Sequence, residues 1–555
     1  MTRILGIEGT AWCASAALHD TATDETYIES EAYEPESGGI HPREAAEHMR
    51  EAIPDVVGTV REHAGDDIDA VAFSRGPGLG PCLRIVATAA RALSLRLDVP
   101  LVGVNHMVAH LEIGRHTSGF DSPVCLNASG ANAHLLGYRN GRYRVLGETM
   151  DTGVGNAIDK FTRHLGWSHP GGPKVEECAR AGEYVDLPYV VKGMDFSFSG
   201  IMSAAKHAVD DGVPVEDVCF SLQENVFAML AEVSERALSL TGADELVLGG
   251  GVGQNTRLRS MLAEMCEARG ADFHAPEPRF LRDNAGMIAV LGARMYEAGD
   301  TIAVAESAVD PDFRPDEVEV TWDAGGDVAV TRAETGEIRG AEAVVRLGER
   351  VEKSRVGKGY RHPALDERLR RERTRSEARL TSLARREGVP TPVVYDVDDH
   401  ESRLVFERVG DADLVAELTE ARVRDVGRHL AACHAAGFVH GDPTPRNVRV
   451  ASAASEPPNG ERRSRERVTR ETGASDRDAT RESDDRTYLI DFGLGYHTEH
   501  VEDYAMDLHV FEGSLAGTSD DATALAAAFE DAYAAAGDPE VVAQLREIES
   551  RGRYQ

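Results

Sequence analysis

His106 and His110 stand four residues apart in VNHMVAH, residues 104–110. Four residues make one turn of α-helix, so two imidazoles at this spacing leave the same face and can grip one metal ion. Two ordinary helix-surface histidines would show the same spacing, and the pair alone leaves both readings open. The residue after the first histidine is Met107, where a zinc peptidase of the H-E-x-x-H type carries its general-base glutamate, which argues against peptide hydrolysis. Far downstream, FVHGDPTPRNV and YLIDFGLGY bring a second chemistry-bearing set, Asp442, Asn447 and Asp491. Carboxylates and an amide in the order H-x-D-x-x-x-x-N and then D-F-G suit Mg²⁺ and a transferring phosphoryl group. Upstream, Lys353 in VEKSRVGKGY and Glu377 in RTRSEARL lie where an ATP-phosphate lysine and its helix partner belong.

These two sets need separate scaffolds, and 555 residues are too many for one core. Residues 1–312 alternate apolar runs, glycine-rich turns and alanine-rich stretches, the pattern of an α/β domain. Pro311, Pro315 and the acidic DEVEVTWDAGGD read as a linker over 313–330, and a second globular pattern fills 331–555. Within it, residues 451–486 hold almost no large apolar side chain and are expected to be a disordered insert. The first domain carries a faint repeat: DAVAFSRGPGLGPCLR (69–84) and DELVLGGGVGQNTRLR (244–259) each run strand, glycine-rich turn, helix start. LGIEGT and CLNASGANAH repeat the strand-into-turn plan. Such turns are anion cradles, and two facing halves would make a nucleotide cleft.

The net charge is −35, from 95 Asp+Glu against 60 Lys+Arg, and only six of the basic residues are lysines. An acidic, lysine-poor surface is the signature of a salt-rich cytosol, where self-repulsion is screened over a few ångströms. Lysines kept against that bias, Lys353 among them, are the ones chemistry needs. No apolar run reaches the ~18 residues of a membrane span. The N-terminus starts directly as a strand without a signal-peptide layout, and seven cysteines without CxxC spacing fit reduced thiols in the cytoplasm.

GIEGTA, GGIHPREAAEHM, SRGPGLGPCLRIVATAARAL, NHMVAH, ASGANAH, PGGPKVE, FSFSG, GGGVGQNTRL and RDNAGMIA occur in this order across residues 1–312. The set resembles the universal tRNA threonylcarbamoyltransferase family, TsaD-like, of the archaeal KEOPS-subunit type. The resemblance implies an α/β two-lobe actin/sugar-kinase-like (ASKHA) domain, in agreement with the repeat. It implies that His106, His110 and Asp283 bind one divalent metal, Fe²⁺ in preference to Zn²⁺, with Asn127 at the fourth position, where archaeal relatives carry tyrosine. Ala131 replaces a glycine of the same turn, and Trp12 replaces a histidine. Asn127, Ala128, Ser129, Gly130, Ala131, Asp159, Gly172, Glu176 and Asn255 match positions that hold threonylcarbamoyl-adenylate. The implied reaction moves the threonylcarbamoyl group to the N6 amine of the adenosine 3′ of the anticodon and releases AMP.

RVGKGYRHPALDERLRRERTRSEA adds a second resemblance, to the small atypical serine/threonine kinase of the same assembly. It implies an α+β protein-kinase-like domain binding ATP and Mg²⁺. In it Asp442 is the catalytic residue, Asn447 and Asp491 hold Mg²⁺, and Lys353 and Glu377 meet the ATP. Arg339, Gly340, Ala341, Glu342, Ala343, Val344, Val345, Arg346 and Leu347 stand where the glycine-rich loop belongs. No long activation segment follows the DFG, so the domain reads as a regulatory ATPase rather than a broad protein kinase. Implied partners are tRNA, a dimerising subunit on the transferase, a small subunit on the kinase, and a separate synthase supplying the adenylate. A signalling kinase with a nucleotide-binding regulatory domain is the alternative. The acidic balance opposes direct RNA binding, so tRNA recognition is expected to lean on shape and partner subunits.

Overall fold

The computed structural model describes residues 2–33, 40–65, 67–130, 132–139, 142–323, 336–451, 486–519 and 521–551. Ala131, residues 324–335, the polar stretch 452–485 and the last four residues lie outside the described set.

The chain opens with β1 (Arg3–Glu8), β2 (Cys13–Asp20) and β3 (Glu25–Ala32), then α1 (Pro42–Ala64), β4 (Ala70–Gly76), α2 (Gly80–Leu97), β5 (Leu101–Asn105) and α3 (His106–Ser118). The first sheet has the order β3-β2-β1-β4-β5, antiparallel on the β2 side of β1 and parallel on the β4 side. A second sheet follows from β6 (Val124–Ala128), β7 (Ala133–Arg139), β8 (Arg142–Glu148), β9 (Glu245–Gly249) and β10 (Asp272–His274). Its order, β10-β9-β6-β7-β8, and its mix of antiparallel and parallel pairs reproduce the first sheet strand for strand. The sequence repeat therefore marks equivalent places, the parallel strand and following helix of each lobe: β4 with α2, and β9 with the helix at Thr256–Arg269.

Between β8 and β9 lie three short helices and then α4 (Val215–Thr241), buried along nearly its whole length. After it come α5 (Thr256–Arg269) and α6 (Ala285–Glu297). The two lobes close on each other through small residues. A Cβ at Gly6 would stand 2.6 Å from the Ala285 carbonyl oxygen, and one at Gly292 only 2.4 Å from Ala72 Cβ, so α6 lies directly on the first sheet. Apolar cores line both lobes, with Ile4, Val102 and Val247 in the shared layer.

The expected linker is corrected in its first part. Val318 and Val320 are buried in the first unit's core, the Glu319 backbone pairs antiparallel with that of Arg142, and Arg115 holds Asp323. Alternate apolar residues in DEVEVTW give it a strand-like face that an acidic, proline-flanked composition concealed.

The second unit begins with a five-stranded antiparallel sheet. It consists of β11 (Glu337–Arg339), β12 (Ala343–Leu347), β13 (Arg350–Arg355), β14 (Val394–Asp398) and β15 (Arg403–Glu407), with α7 (Pro363–Arg386) crossing after β13. A mainly helical part follows: α8 (Glu420–Ala435), the strands β16 (Val448–Ala451) and β17 (Arg486–Leu489), then α9 (Val501–Thr518), α10 (Ala522–Ala536) and α11 (Pro539–Arg551). Phe438, Phe492, Phe511, Phe529 and Tyr533 fill its core. Ala451 and Arg486, the two ends of the polar stretch, are register partners in β16 and β17. The chain leaves and re-enters one sheet at adjacent points. No described helix is long and apolar enough to cross a membrane.

Candidate metal and nucleotide sites

β5 ends at Asn105, whose side-chain oxygen accepts the N–H groups of Met107 (3.0 Å) and Val108 (3.1 Å). This cap starts α3 at His106, so His106 and His110 fall one turn apart on the helix's first two turns. Their rings meet edge-on with centroids 4.9 Å apart. Asp283 enters from the turn before α6, its Oδ1 3.4 Å from His106 Nε2 and 3.3 Å from His110 Nε2. The three ligand atoms lie within 4.8 Å of one another, and both histidines are buried.

Glu8, fully buried on β1, sits behind this group with Oε2 3.3 Å from His106 Nδ1 and Oε1 accepting the Thr10 N–H. A carboxylate behind a ligating imidazole fixes its ring and raises its basicity. Burial works against charge on His106, yet Glu8 and Asp283 lift its pKa to about 10. Burial holds His110 below its ordinary value. Burial would raise Asp283, but the two histidines hold its carboxyl well below the usual range. Two buried atoms of this group have no hydrogen-bond partner among the described residues: His110 Nδ1 and Asn127 Oδ1. Two imidazoles, a carboxylate and an unpartnered amide oxygen fit a divalent cation. His106 must lose its proton before it can ligate. Metal affinity is therefore expected to rise roughly tenfold per pH unit below about 10, with proton release on uptake, as titration calorimetry in buffers of different ionisation enthalpy would show.

Asn127 closes β6 beside β9, with Nδ2 3.7 Å from Met107 Sδ. Gly250, at φ +83, could carry no side chain, since its Cβ would stand 2.3 Å from the Ala128 carbonyl oxygen and 2.6 Å from Asn127 Oδ1. The turn after β6 is tight: the Ser129 N–H and hydroxyl both donate to the Asn132 carbonyl. The Ser129 N–H is thus engaged within the turn. The Gly130 carbonyl accepts the Asn156 N–H and ties the turn to the helix at Val154–His164. On that helix Asp159 accepts the Gly171 N–H at 2.7 Å and meets His169 at 3.0 Å, next to Gly172. Glu176 accepts the N–H and hydroxyl of Thr256, and Asn255 caps α5 through the N–H groups of Arg257 and Leu258. The ends of β6 and β9, neighbouring parallel strands, therefore gather Asn127, Ala128, Ser129, Gly130 and Asn255, while Asp159, Gly172 and Glu176 join through the facing helices. A crevice beyond the carboxyl ends of parallel strands is where open α/β sheets take ligands.

In the second unit Lys353 Nζ lies 2.8 Å from Glu377 and 2.6 Å from Asp491. Asn447 donates to the carbonyl (2.9 Å) and carboxylate (3.0 Å) of Asp442. Asp491 is held at φ +65, a conformation uncommon for a residue with a side chain. Burial alone would raise its pKa, but Lys353 and Arg355 bring it down to about 2. The loop that carries Asp442 hangs from Asp507, which accepts the N–H groups of His440 and Gly441.

A family model described as tRNA N6-adenosine threonylcarbamoyltransferase matches residues 22–290. A protein of Natronomonas pharaonis named "Probable bifunctional tRNA threonylcarbamoyladenosine biosynthesis protein" is 70% identical over 567 residues, covering 100% of both chains. The chain belongs to this bifunctional family. A Haloarcula marismortui member with the same name is 67% identical over 575 residues, again covering 100% of both chains. Among solved structures, HypF of T. kodakarensis shares 15% identity at a TM-score of 0.41, over 54% of this chain and 48% of that one.

One contact of this family member escaped the sequence reading: α4 of the first unit reaches into the second unit's site. Arg236 donates to Asp442 at 2.9 Å and to Glu342 at 2.7 Å. Glu232 on the same helix pairs with Arg361 at 2.6 Å, and Glu235 pairs with Lys358 at 2.6 Å. Glu342, within the Arg339–Leu347 stretch (β11, its turn and β12), also receives Arg373. Burial opposes the Glu342 charge, but Arg373 and Arg236 hold its carboxyl well below the ordinary range. Burial pushes Asp442 up, with Arg236 only partly opposing it. Charged residues at i, i+3 and i+4 within the apolar AMLAEVSERALSL were the available signal. Arg236→Ala leaves Asp442 buried without its cation. It is expected to cost the full chain about 3 kcal/mol, read as a fall in the denaturant midpoint.

Proposed function

We propose that the first unit transfers threonylcarbamoyl from threonylcarbamoyl-adenylate to the N6 amine of the adenosine 3′ of the anticodon in ANN-decoding tRNAs. The observation that carries this reading is the His106–His110–Asp283 cluster at the crevice lined by Asn127–Gly130 and Asn255. In the reaction a C–N bond forms, the C–O bond to phosphate breaks, AMP leaves with the electron pair, and the amine gives up a proton. A bound Fe²⁺ or Zn²⁺, held by the two histidines, Asp283 and Asn127, would supply Lewis acidity toward the threonylcarbamoyl oxygens. The chain's own residues bind and orient: Asp159, Gly172, Glu176 and Asn255 shape the pocket for the adenylate, and Glu8 holds the His106 ring. AMP is already a good leaving group, so positioning supplies much of the acceleration.

The second unit, on this reading, is an atypical kinase-like ATPase. The Lys353–Glu377 pair and the contacts of Asp442 with Asn447 and of Lys353 with Asp491 support it, since phosphoryl transfer uses residues of these types together. The Arg236 clamp on Asp442 suits a site that turns over ATP without presenting a base to a protein hydroxyl. The packing of 313–323 on the first lobe extends the transferase domain to about residue 323, with the kinase-like domain following. The protein works in the cytoplasm of a halophile within a KEOPS-type assembly, with a dimerising subunit on the transferase and a small subunit on the kinase. The test is to supply threonylcarbamoyl-adenylate, unmodified tRNA, ATP and these partners in high salt. Threonylcarbamoyladenosine in the digested tRNA supports the reading, and its absence with a folded, metal-loaded complex refutes it.

A further inference from the structure

The far end of α3 gathers a second metal-type group that the transfer reaction does not use. His19 comes from β2, Asp24 from the turn before β3, and His116 from the last turn of α3. Each offers a nitrogen or carboxylate oxygen within 4.8 Å of the other two. His116 Nε2 is 2.7 Å from Asp24 Oδ1, and the His19 and His116 rings meet edge-on with centroids 5.8 Å apart.

All three are positioned by features outside the group. His19 is 2% exposed, and its Nδ1 lies 3.0 Å from the hydroxyl of Thr26, its register partner across the hairpin. A hydroxyl on an imidazole nitrogen orients the ring as outer partners of metal-ligating histidines do. Asp24 adopts φ +57, and its N–H donates to the Asp20 carbonyl at 2.9 Å, so the turn is closed with the carboxylate held against α3. Among nearby charges, Asp20 is paired with Arg3 at 3.4 Å. Arg294 is anchored on Glu112 at 2.8 Å and approaches only Nδ1 of His116, at 3.5 Å, the ring nitrogen that does not face Asp24. The Asp24 side chain is open to solvent, which gives an ion its entry path and water its remaining positions.

We propose that His19, Asp24 and His116 form a second divalent transition-metal site of the zinc type, pinning the β2–β3 hairpin to the C-terminal end of α3. Two imidazole nitrogens and one carboxylate, with no thiolate, are the donor set that zinc takes in open sites. His116 lies six residues beyond His110, about 9 Å along the helix axis, so one helix holds ligands for two separate ions.

The test is zinc titration of the chelator-stripped full chain in high salt, by calorimetry with metal analysis after desalting. Wild type is expected to take two zinc ions per chain. Asp24→Asn keeps a residue that tolerates left-handed backbone but lacks the charge. It should retain one ion and lose the other at least ~100-fold in affinity, beyond the ~10–100-fold that losing an outer partner costs. His106→Ala should also retain one. Zinc should slow amide exchange over residues 19–26 in wild type and His106→Ala but not in Asp24→Asn. Two ions retained in Asp24→Asn, or a single wild-type ion that His106→Ala abolishes, would overturn the proposal. Neither outcome bears on acyl transfer, which is read separately from tRNA product.

Discussion

His106→Ala is expected to lower threonylcarbamoyladenosine formation roughly a thousandfold, the several kcal/mol that a well-placed Lewis acid supplies. The substitution removes one of the two imidazoles facing Asp283 and leaves Glu8 with no ring to orient. Only His110, Asp283 and Asn127 would then be left to hold an ion. Because His106 sits between the Glu8 and Asp283 carboxylates, its loss also weakens the stripped protein, so a near-native melting profile must accompany the assay. Asp283→Asn supplies the control, since it keeps side-chain volume and loses the anionic ligand. Both variants should fail together in single-turnover product formation while ATP turnover by the second unit continues. Unchanged product from a folded His106→Ala chain would remove the metal from the mechanism.

The second large effect concerns Asp442. Asp442→Ala is expected to lower ATP turnover by about 10²–10⁴-fold, the range for loss of a positioned acid–base group. The variant should fold, because Arg236 keeps Glu342 and Glu232 as partners and Asn447 keeps the residue-442 carbonyl. Phosphate release measured on the full chain with Mg²⁺ and ATP decides the matter. Wild-type turnover in this variant would sink the kinase-like reading of the second unit without touching acyl transfer.

The sequence reached His106, His110 and Asp283 because helix spacing and an ordered series of motifs survive in one dimension, and the lobe repeat was legible for the same reason. Asp442, Asn447 and Asp491 were legible as a local pattern, and the structure sets Lys353 between Glu377 and Asp491. What escaped is long-range. Glu8 is one acid in an apolar strand, and nothing near it in sequence says that it faces His106. Arg236 and Asp442 stand 206 residues apart, and no periodicity links them. Residues 313–323 read as linker because acidic composition outweighed a short alternation of valines that only a neighbouring strand makes meaningful. Ser129 had the right neighbours for an anion cradle, and its N–H closes the turn onto Asn132.

The pairing of Ala451 with Arg486 has a consequence for how this family can change. One rung of the ladder fixes both ends of whatever chain runs between them. Closing a loop across fixed ends becomes harder only logarithmically with its length, by about 0.6 kcal/mol per doubling. The stretch joining β16 to β17 is therefore a place where residues can be gained or lost with little effect on folding. Length differences among relatives should gather there, leaving the spacing between Asn447 and Asp491 in space untouched while their spacing in sequence drifts.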